Sequence, residues 1–170
     1  MNKDEKLQLL EKIVREKNDS FLRVAIRVVY YQEDAKDAVQ DGLVRAIENI
    51  DKFRDGNRRE MLSWLYLIVF RCALNVRRKN KKDREFCEPL DFVSYMVRSD
   101  SRPPFNDEFS DKTLDCIDRL SQDFRDVIIL VDMMGMKYCE AAAELKCNRQ
   151  TIGTRLFRAR KQMQKNLKRL

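Results

Sequence analysis

The chain has 170 residues, of which 44% are hydrophobic and 37% charged, with only 4 Gly and 3 Pro. So few turn-forming residues exclude a turn-rich β protein and favour an all-α chain, folded as one domain or two small ones. The net charge of +7 points to a polyanionic partner or an anionic membrane surface.

The distribution of charge divides the chain into three parts. Residues 1–82 carry 19 basic and 13 acidic side chains, and residues 113–170 carry 12 and 7. Residues 83–112 carry 4 basic and 8 acidic side chains and contain all 3 prolines. We therefore predict two small helical domains, 1–82 and 113–170, joined by an acidic linker over 83–112.

Neither the N-terminus nor the most apolar segment predicts targeting or membrane insertion. The first twelve residues are charged throughout, unlike a signal peptide. The most apolar run, residues 61–74, includes Arg71 and is too short to span a bilayer, although it suits a core helix. We expect a cytoplasmic protein without a membrane span.

A helix is predicted over residues 34–50. Its apolar residues recur at steps of three and four and so form one face: Ala35, Ala38, Val39, Gly42, Leu43, Ala46, Ile47 and Ile50. Asp34 is the predicted N-cap of this helix. The opposite face is polar and acidic.

A second helix is predicted over residues 59–79, after a polar loop at 51–57. Residues 61–82 contain no acid, are rich in aromatic residues at first, and end in a cluster of Arg and Lys. Aromatic surfaces beside cations are what single-stranded DNA binding requires. A core position is the alternative for most of the aromatic residues.

Residues 138–160 predict a helix-turn-helix. A helix over 138–145 is followed by a turn at 146–148 and a second helix that Asn148 can cap. On this second helix Ile152, Leu156, Ala159 and Met163 share one apolar stripe. The opposite face is then free to lie in a DNA major groove.

The end of the chain carries nine Lys or Arg and no acid over residues 145–170. A solvated basic helix is the simpler alternative. Solvated helices usually mix the two charge signs, however, and a long stretch without carboxylates favours contact with phosphates.

The chemistry of the remaining residues argues against an enzyme or a metal protein. The chain has no His, and its 5 Cys form no CxxC pair, so we expect no metal site. Scattered cysteines fit small buried side chains in a reducing compartment. Without a phosphate-binding loop or a nucleophile motif, neither catalysis nor a cofactor is expected.

Three of these segments, in this order, resemble the extracytoplasmic-function sigma factors of the sigma-70 family. Residues 33–53 are similar to the helix that binds polymerase, and residues 63–79 to the helix that recognises and melts the −10 element. Residues 114–160 are similar to the second domain, which reads the −35 element. The resemblance implies an alternative sigma factor whose partners are core RNA polymerase, promoter DNA and, in many members, an anti-sigma factor.

The resemblance and the side-chain chemistry together assign three sets of site residues. The set facing polymerase is Asp37, Gln40 and Asp41, for which a solvated helix face is the alternative. The −10 set lies in the loop and the helix after it: Phe53, Asp55, Asn57, Arg71, Arg77 and Arg78. The −35 set lies on the last helix: Arg149, Gln150, Thr154, Arg155, Phe157, Arg158 and Lys161. A core position under the loop is an equal alternative for Phe53.

The chain also departs from the family pattern at several positions. Ser121 follows Leu120 where the family usually has Leu-Pro, and Lys146 stands where a small turn residue is common. Gly153 occupies a recognition-helix position that is often basic or polar, and Arg71 replaces a frequent Asn. These changes affect the expected promoter sequence and leave the class unchanged.

Two other functions remain possible on the sequence. A helix-turn-helix regulator that binds a palindrome as a dimer leaves residues 33–79 unexplained. A basic helical adaptor that binds protein or RNA predicts binding that is indifferent to DNA sequence.

Overall fold

The computed structural model describes residues 2–29, 31–53, 57–81 and 111–168. All regular structure in these residues is helical, which confirms the all-α prediction. The chain divides into two compact units, Met1–Ser101 and Arg102–Leu170. The first contains α1 (Lys3–Val29), α2 (Gln32–Glu48), a 3-10 turn (Ile50–Lys52) and α3 (Arg58–Lys81). The second contains α4 (Asp111–Asp118), α5 (Gln122–Val127), a π-helical segment (Ile128–Met133), α6 (Tyr138–Glu144) and α7 (Arg149–Leu167).

In the first unit the three long helices pack on one another. Every side chain of α3 from Trp64 to Leu74 is buried, as expected for a helix that is apolar on all sides. Gly42 lets α2 approach α3 closely, because a Cβ at this position would lie 3.1 Å from Cγ2 of Val69 and 3.2 Å from its Cα.

The predicted start and core face of α2 need two corrections. Asp34 is not the cap, since the helix begins at Gln32. The Asp34 carboxylate instead accepts a hydrogen bond from the side-chain amide of Asn80 at 2.8 Å, which ties the first turn of α2 to the end of α3. Ile47 is 50% exposed, because it is rotated by about 100° from the buried Ala46.

In the second unit a buried arginine closes the end of α4. Arg125 is 6% exposed and donates hydrogen bonds to the backbone oxygens of Ile117, Asp118 and Leu120 at 3.3, 2.6 and 3.1 Å. Ile117 and Asp118 belong to the last turn of α4, where carbonyls have no partner within the helix, and Leu120 follows that turn. Arg125 therefore fixes the junction from which the chain continues towards the helix-turn-helix.

Candidate functional site

Helices α6 and α7 form the predicted helix-turn-helix. Asn148 caps α7, as predicted, because its side-chain oxygen accepts a hydrogen bond from the backbone N–H of Thr151 at 2.8 Å. Lys146, in the turn, has a φ of 51°, in the left-handed region that favours glycine. This conformation explains why a small residue is common at this turn in the family that the chain resembles.

Helix α7 has one buried and one exposed face, as its pattern predicts. Ile152, Leu156 and Ala159 are buried, and Met163 is half-buried. The exposed face carries six of the seven residues predicted to bind DNA: Arg149, Gln150, Thr154, Phe157, Arg158 and Lys161. Phe157 has 68% of its surface exposed. Amide, hydroxyl, aromatic and cationic groups thus point outward together, as a major-groove helix requires.

Two ion pairs fasten α7 to the helical segments before it. Arg155 contacts Asp123 at 2.8 Å. Arg160 donates to both carboxylate oxygens of Asp132, and the hydrogen bonds to Asp132 raise the pKa of its guanidinium. Arg155, a predicted DNA contact, therefore already helps to position the helix. Sequence reasoning missed Asp123 and Asp132, although an acid-free helix suggests that its cations find carboxylates elsewhere.

The predicted polymerase-binding residues Asp37, Gln40 and Asp41 are all exposed on α2. The same helix exposes 54% of Val44 and 50% of Ile47. Since Val44 follows Gln40 by four residues and Ile47 follows Val44 by three, they extend one stripe along the helix. We call these five residues the α2 stripe. Its apolar half was missed, because Ile47 had been assigned to the core.

The loop predicted to hold a −10 base is only partly described, and Asp55 lies outside the described residues. Phe53 is 6% exposed and its ring centroid lies 5.3 Å from that of Trp64, so it occupies the core position given above as the alternative. Asn57 caps α3: its side-chain oxygen accepts from the backbone N–H groups of Arg59 and Glu60 at 2.9 and 3.1 Å. Base contact by these residues stays a prediction.

The three arginines predicted for the −10 site differ in exposure. Arg71 is 4% exposed, so a base could meet it only after the surroundings of α3 move. Arg77 and Arg78 are half-buried, and Arg77 donates to the backbone oxygen of Val28 at 3.4 Å. The end of α3 is thus the more accessible part of this site.

The cysteines only partly follow the prediction of small buried side chains. Cys72 and Cys116 are buried, Cys147 is half-buried, and Cys139 is exposed. Cys87 lies outside the described residues. Burial raises the pKa of the Cys72 thiol to about 11.

Comparisons with known proteins match both units to one family. Residues 13–83 match Sigma-70 region 2, and residues 110–163 match Sigma-70, region 4. The RNA polymerase sigma factor SigV of Bacillus subtilis is 31% identical over 157 residues, which cover 91% of this chain and 89% of that protein. The chain belongs to the sigma-70 family. This membership confirms the resemblance seen in the sequence.

Further relatives place this sigma factor in the extracytoplasmic-function group. The ECF RNA polymerase sigma factor EcfG of Rhodopseudomonas palustris is 34% identical over 134 residues, covering 76% of this chain and 68% of that protein. The solved structure of the sigma factor RpoE with the anti-sigma factor NepR, from Bartonella quintana, aligns with a TM-score of 0.54 at 28% identity. That alignment covers 98% of this chain and 96% of RpoE. The chain is therefore an alternative sigma factor that directs transcription initiation.

In the described residues no helix is long and apolar enough to cross a membrane. The same residues hold no group of three or more His, Cys, Asp or Glu that could bind a metal ion.

Proposed function

We propose that this sigma factor reads a −35 element with the exposed face of α7 and binds core RNA polymerase through the α2 stripe. In this proposal residues 1–82 form the polymerase-binding and −10 domain, residues 83–112 the linker, and residues 113–170 the −35 domain. The observation that carries it is the exposed face of α7, where cations stand beside amide and hydroxyl groups on a helix without a single acid. The proposal also makes the protein a cytoplasmic factor without catalytic activity of its own.

The −35 face has the groups needed to tell base pairs apart. Arginine can pair with a guanine edge, glutamine with an adenine edge, and an aromatic ring can contact a thymine methyl group. Arg158, Gln150 and Phe157 supply these three groups on one exposed face. Lys161 and Lys165 continue the face with cations suited to phosphates.

The α2 stripe has the composition of a protein interface. Asp37 and Asp41 carry the charge that attracts a basic partner surface, and Val44 with Ile47 provides apolar area to bury against it. An apolar centre beside charged groups is the usual anatomy of such interfaces. The stripe therefore suits a basic helix or groove of polymerase better than it suits DNA.

Strand opening needs polymerase as well as the sigma factor. Unstacking about ten base-pair steps costs on the order of 14 kcal/mol, which is more than the first unit could supply alone. We propose that the basic end of α3, with Arg77 and Arg78, holds the opened strand, and that Asp55 and Asn57 read the −10 bases. Phe53 and Arg71 are buried, so in this proposal they reach a base only after the surroundings of α3 move. An anti-sigma factor, such as the one bound to RpoE of Bartonella quintana, is the expected regulator.

The proposal is tested by transcription in vitro from genomic fragments with core polymerase, with and without this protein. We expect new transcripts only when both proteins are present. We also expect the two proteins together to protect two promoter elements, one near −35 and one near −10, in footprinting. Protection of a palindrome by the protein alone would support the dimeric regulator instead. Binding that is indifferent to DNA sequence would support the adaptor.

The α2 stripe is tested by charge reversal. Replacing Asp37 and Asp41 with Lys should weaken co-purification with core polymerase, because both carboxylates are exposed. The matched control replaces Asp4 and Asp19, exposed acids of α1, with Lys and should bind normally. If the α2 variant folds and binds as well as the control, the stripe is not the polymerase site.

The role of Asn57 is tested by Asn57→Ser, since serine keeps the helix cap but lacks the amide group. We expect normal polymerase binding but less permanganate reactivity of thymines near the start site. Undiminished reactivity would place strand capture elsewhere, such as the end of α3.

A further inference from the structure

The first turn of α7 borders an open hollow next to the predicted DNA-binding face. Its volume is about 590 Å³, and it is lined by Tyr138, Asn148, Arg149, Gln150 and Gly153. We call it the Tyr138 hollow. Tyr138 comes from α6, and the other four residues from the cap and first turns of α7.

Gly153 has no side chain to occupy the part of the hollow between α7 and Tyr138. A Cβ at this position would lie 3.7 Å from Cε2 of Tyr138 and 3.9 Å from Cδ2. These are ordinary contact distances, so a side chain would fit here without strain and would occupy the part of the hollow beside Tyr138. The edge of the Tyr138 ring, itself 36% exposed, forms the apolar wall of this space.

The charge around the hollow indicates which kind of ligand binds next to it. Arg149 lines it, and the chain carries no acid from residue 145 to its end. A hollow lined by an arginine and by no carboxylate suits a polyanion. On the side of Tyr138 and Gly153, however, the wall is an aromatic edge and a helix backbone without a side chain, which offer contact to an apolar group rather than to a phosphate.

We propose that the Tyr138 hollow takes the C5-methyl group of one thymine of the −35 element. Thymine is the one base of normal DNA that presents a methyl group in the major groove. Gly153 lets the base approach the helix backbone, and Tyr138 covers the methyl group from the side. The proposal rests on the proposed −35 function and adds to it a specificity residue, Tyr138, that lies outside the recognition helix.

The test removes single methyl groups from the promoter. In a promoter fragment that this sigma factor and core polymerase recognise, each −35 thymine is replaced in turn by deoxyuracil, and the affinity of the full holoenzyme is measured by competition. At one thymine the affinity should fall about fourfold, as expected for a buried group of this size. Tyr138→Ala and Gly153→Leu should each abolish the difference between thymine and uracil at that position.

Three controls separate this contact from others. Tyr138→Phe should keep the uracil effect, because the ring and not the hydroxyl makes the contact. Phe157→Ala should also keep it at that position, although it can remove the effect at another thymine. Far-UV circular dichroism of each variant, compared with that of the native protein, checks that its helices are retained.

The outcomes distinguish the two proposals. If the holoenzyme protects no −35 element, the proposed function itself fails. If it protects one but no thymine responds to uracil, or the response survives both Tyr138→Ala and Gly153→Leu, only the hollow is wrong. A −35 element without any thymine would also overturn it.

Discussion

The two acid-free stretches of this sigma factor both carry Lys and Arg without Asp or Glu, and they differ in exposure. Residues 61–82 begin inside α3, where every side chain from Trp64 to Leu74 is buried. Residues 145–168 form the turn and α7, where only one stripe is buried and every cation except Arg155 is exposed. Both stretches predicted contact with nucleic acid, the first because aromatic residues lie beside cations and the second because a long basic stretch lacks carboxylates.

The arginines of the two helices make the difference concrete. Arg71 is 4% exposed, whereas Arg158 is exposed. The spacing of apolar residues distinguishes the two helices. In α7 the buried apolar residues recur at 152, 156 and 159 on one side, whereas in α3 apolar residues surround Arg71 on all sides. Charge composition therefore indicates a nucleic-acid partner, and only periodicity indicates which cations can reach it.

The largest expected effect compares two phenylalanines. Phe70→Ala in α3 should lower the free energy of unfolding of the first unit by about 3–5 kcal/mol, because the ring is fully buried. Phe157→Ala in α7 should change stability by about 0.5 kcal/mol or less, since its ring is mostly exposed. Urea denaturation followed by circular dichroism measures both. Equal losses would mean that the two helices do not differ in burial as described.

The next effect uses the buried thiol of α3. Because burial raises the pKa of Cys72 from 9.0 to about 11, the folded state keeps its proton after the unfolded state loses it. The contribution of this thiol to the free energy of unfolding is therefore fully present below pH 9. It declines as the pH rises towards 11, by about 2–3 kcal/mol in total.

The measurement compares the pH dependence of unfolding for the native protein and Cys72→Ala. The difference between their free energies of unfolding should be constant below pH 9 and should then change steadily as the pH rises further. Cys139→Ala, which removes an exposed thiol, is the control and should show no such change. A flat difference for Cys72→Ala would mean that the thiol is hydrated.

On α7 the expected effect is on binding. Arg158→Ala should cost about 1–3 kcal/mol of promoter affinity and relax the preference at one −35 position. Lys165→Ala, at an exposed position near the end of α7, should weaken binding to all DNA sequences evenly. It should also reduce the slope of log affinity against log salt concentration by about one. Binding to a library of −35 sequences distinguishes the two. Uniform loss in both variants would make Arg158 a backbone contact.

The sequence was informative where one local pattern decides the outcome. The cap at Asn148 and the buried stripe through Leu156 follow from local rules, and both were predicted correctly. Other features depend on contacts between elements. Phe53 is buried against Trp64 of the next helix, and Arg155 pairs with Asp123 of an earlier one. Ile47 is exposed because of how α2 is rotated about its axis. Periodicity alone cannot supply those contacts, and the family resemblance fixes the class without fixing them.

The smallest expected effect on stability compares alanine substitutions of two glycines, for which we expect opposite signs. Gly153→Ala in α7 should stabilise the second unit by about 0.5–1 kcal/mol, because alanine favours a helix and its Cβ would meet Tyr138 at an ordinary 3.7 Å. Gly42→Ala in α2 gains the same helix propensity, but its Cβ would lie 3.2 Å from the backbone of Val69 in α3. Overpacking of this kind costs about 1–3 kcal/mol, so the net effect should be destabilising. Thermal unfolding of the two variants gives the signs directly. If Gly42→Ala also stabilises the protein, α3 can move away from α2. The packing around α3 would then be looser than the burial of its side chains indicates.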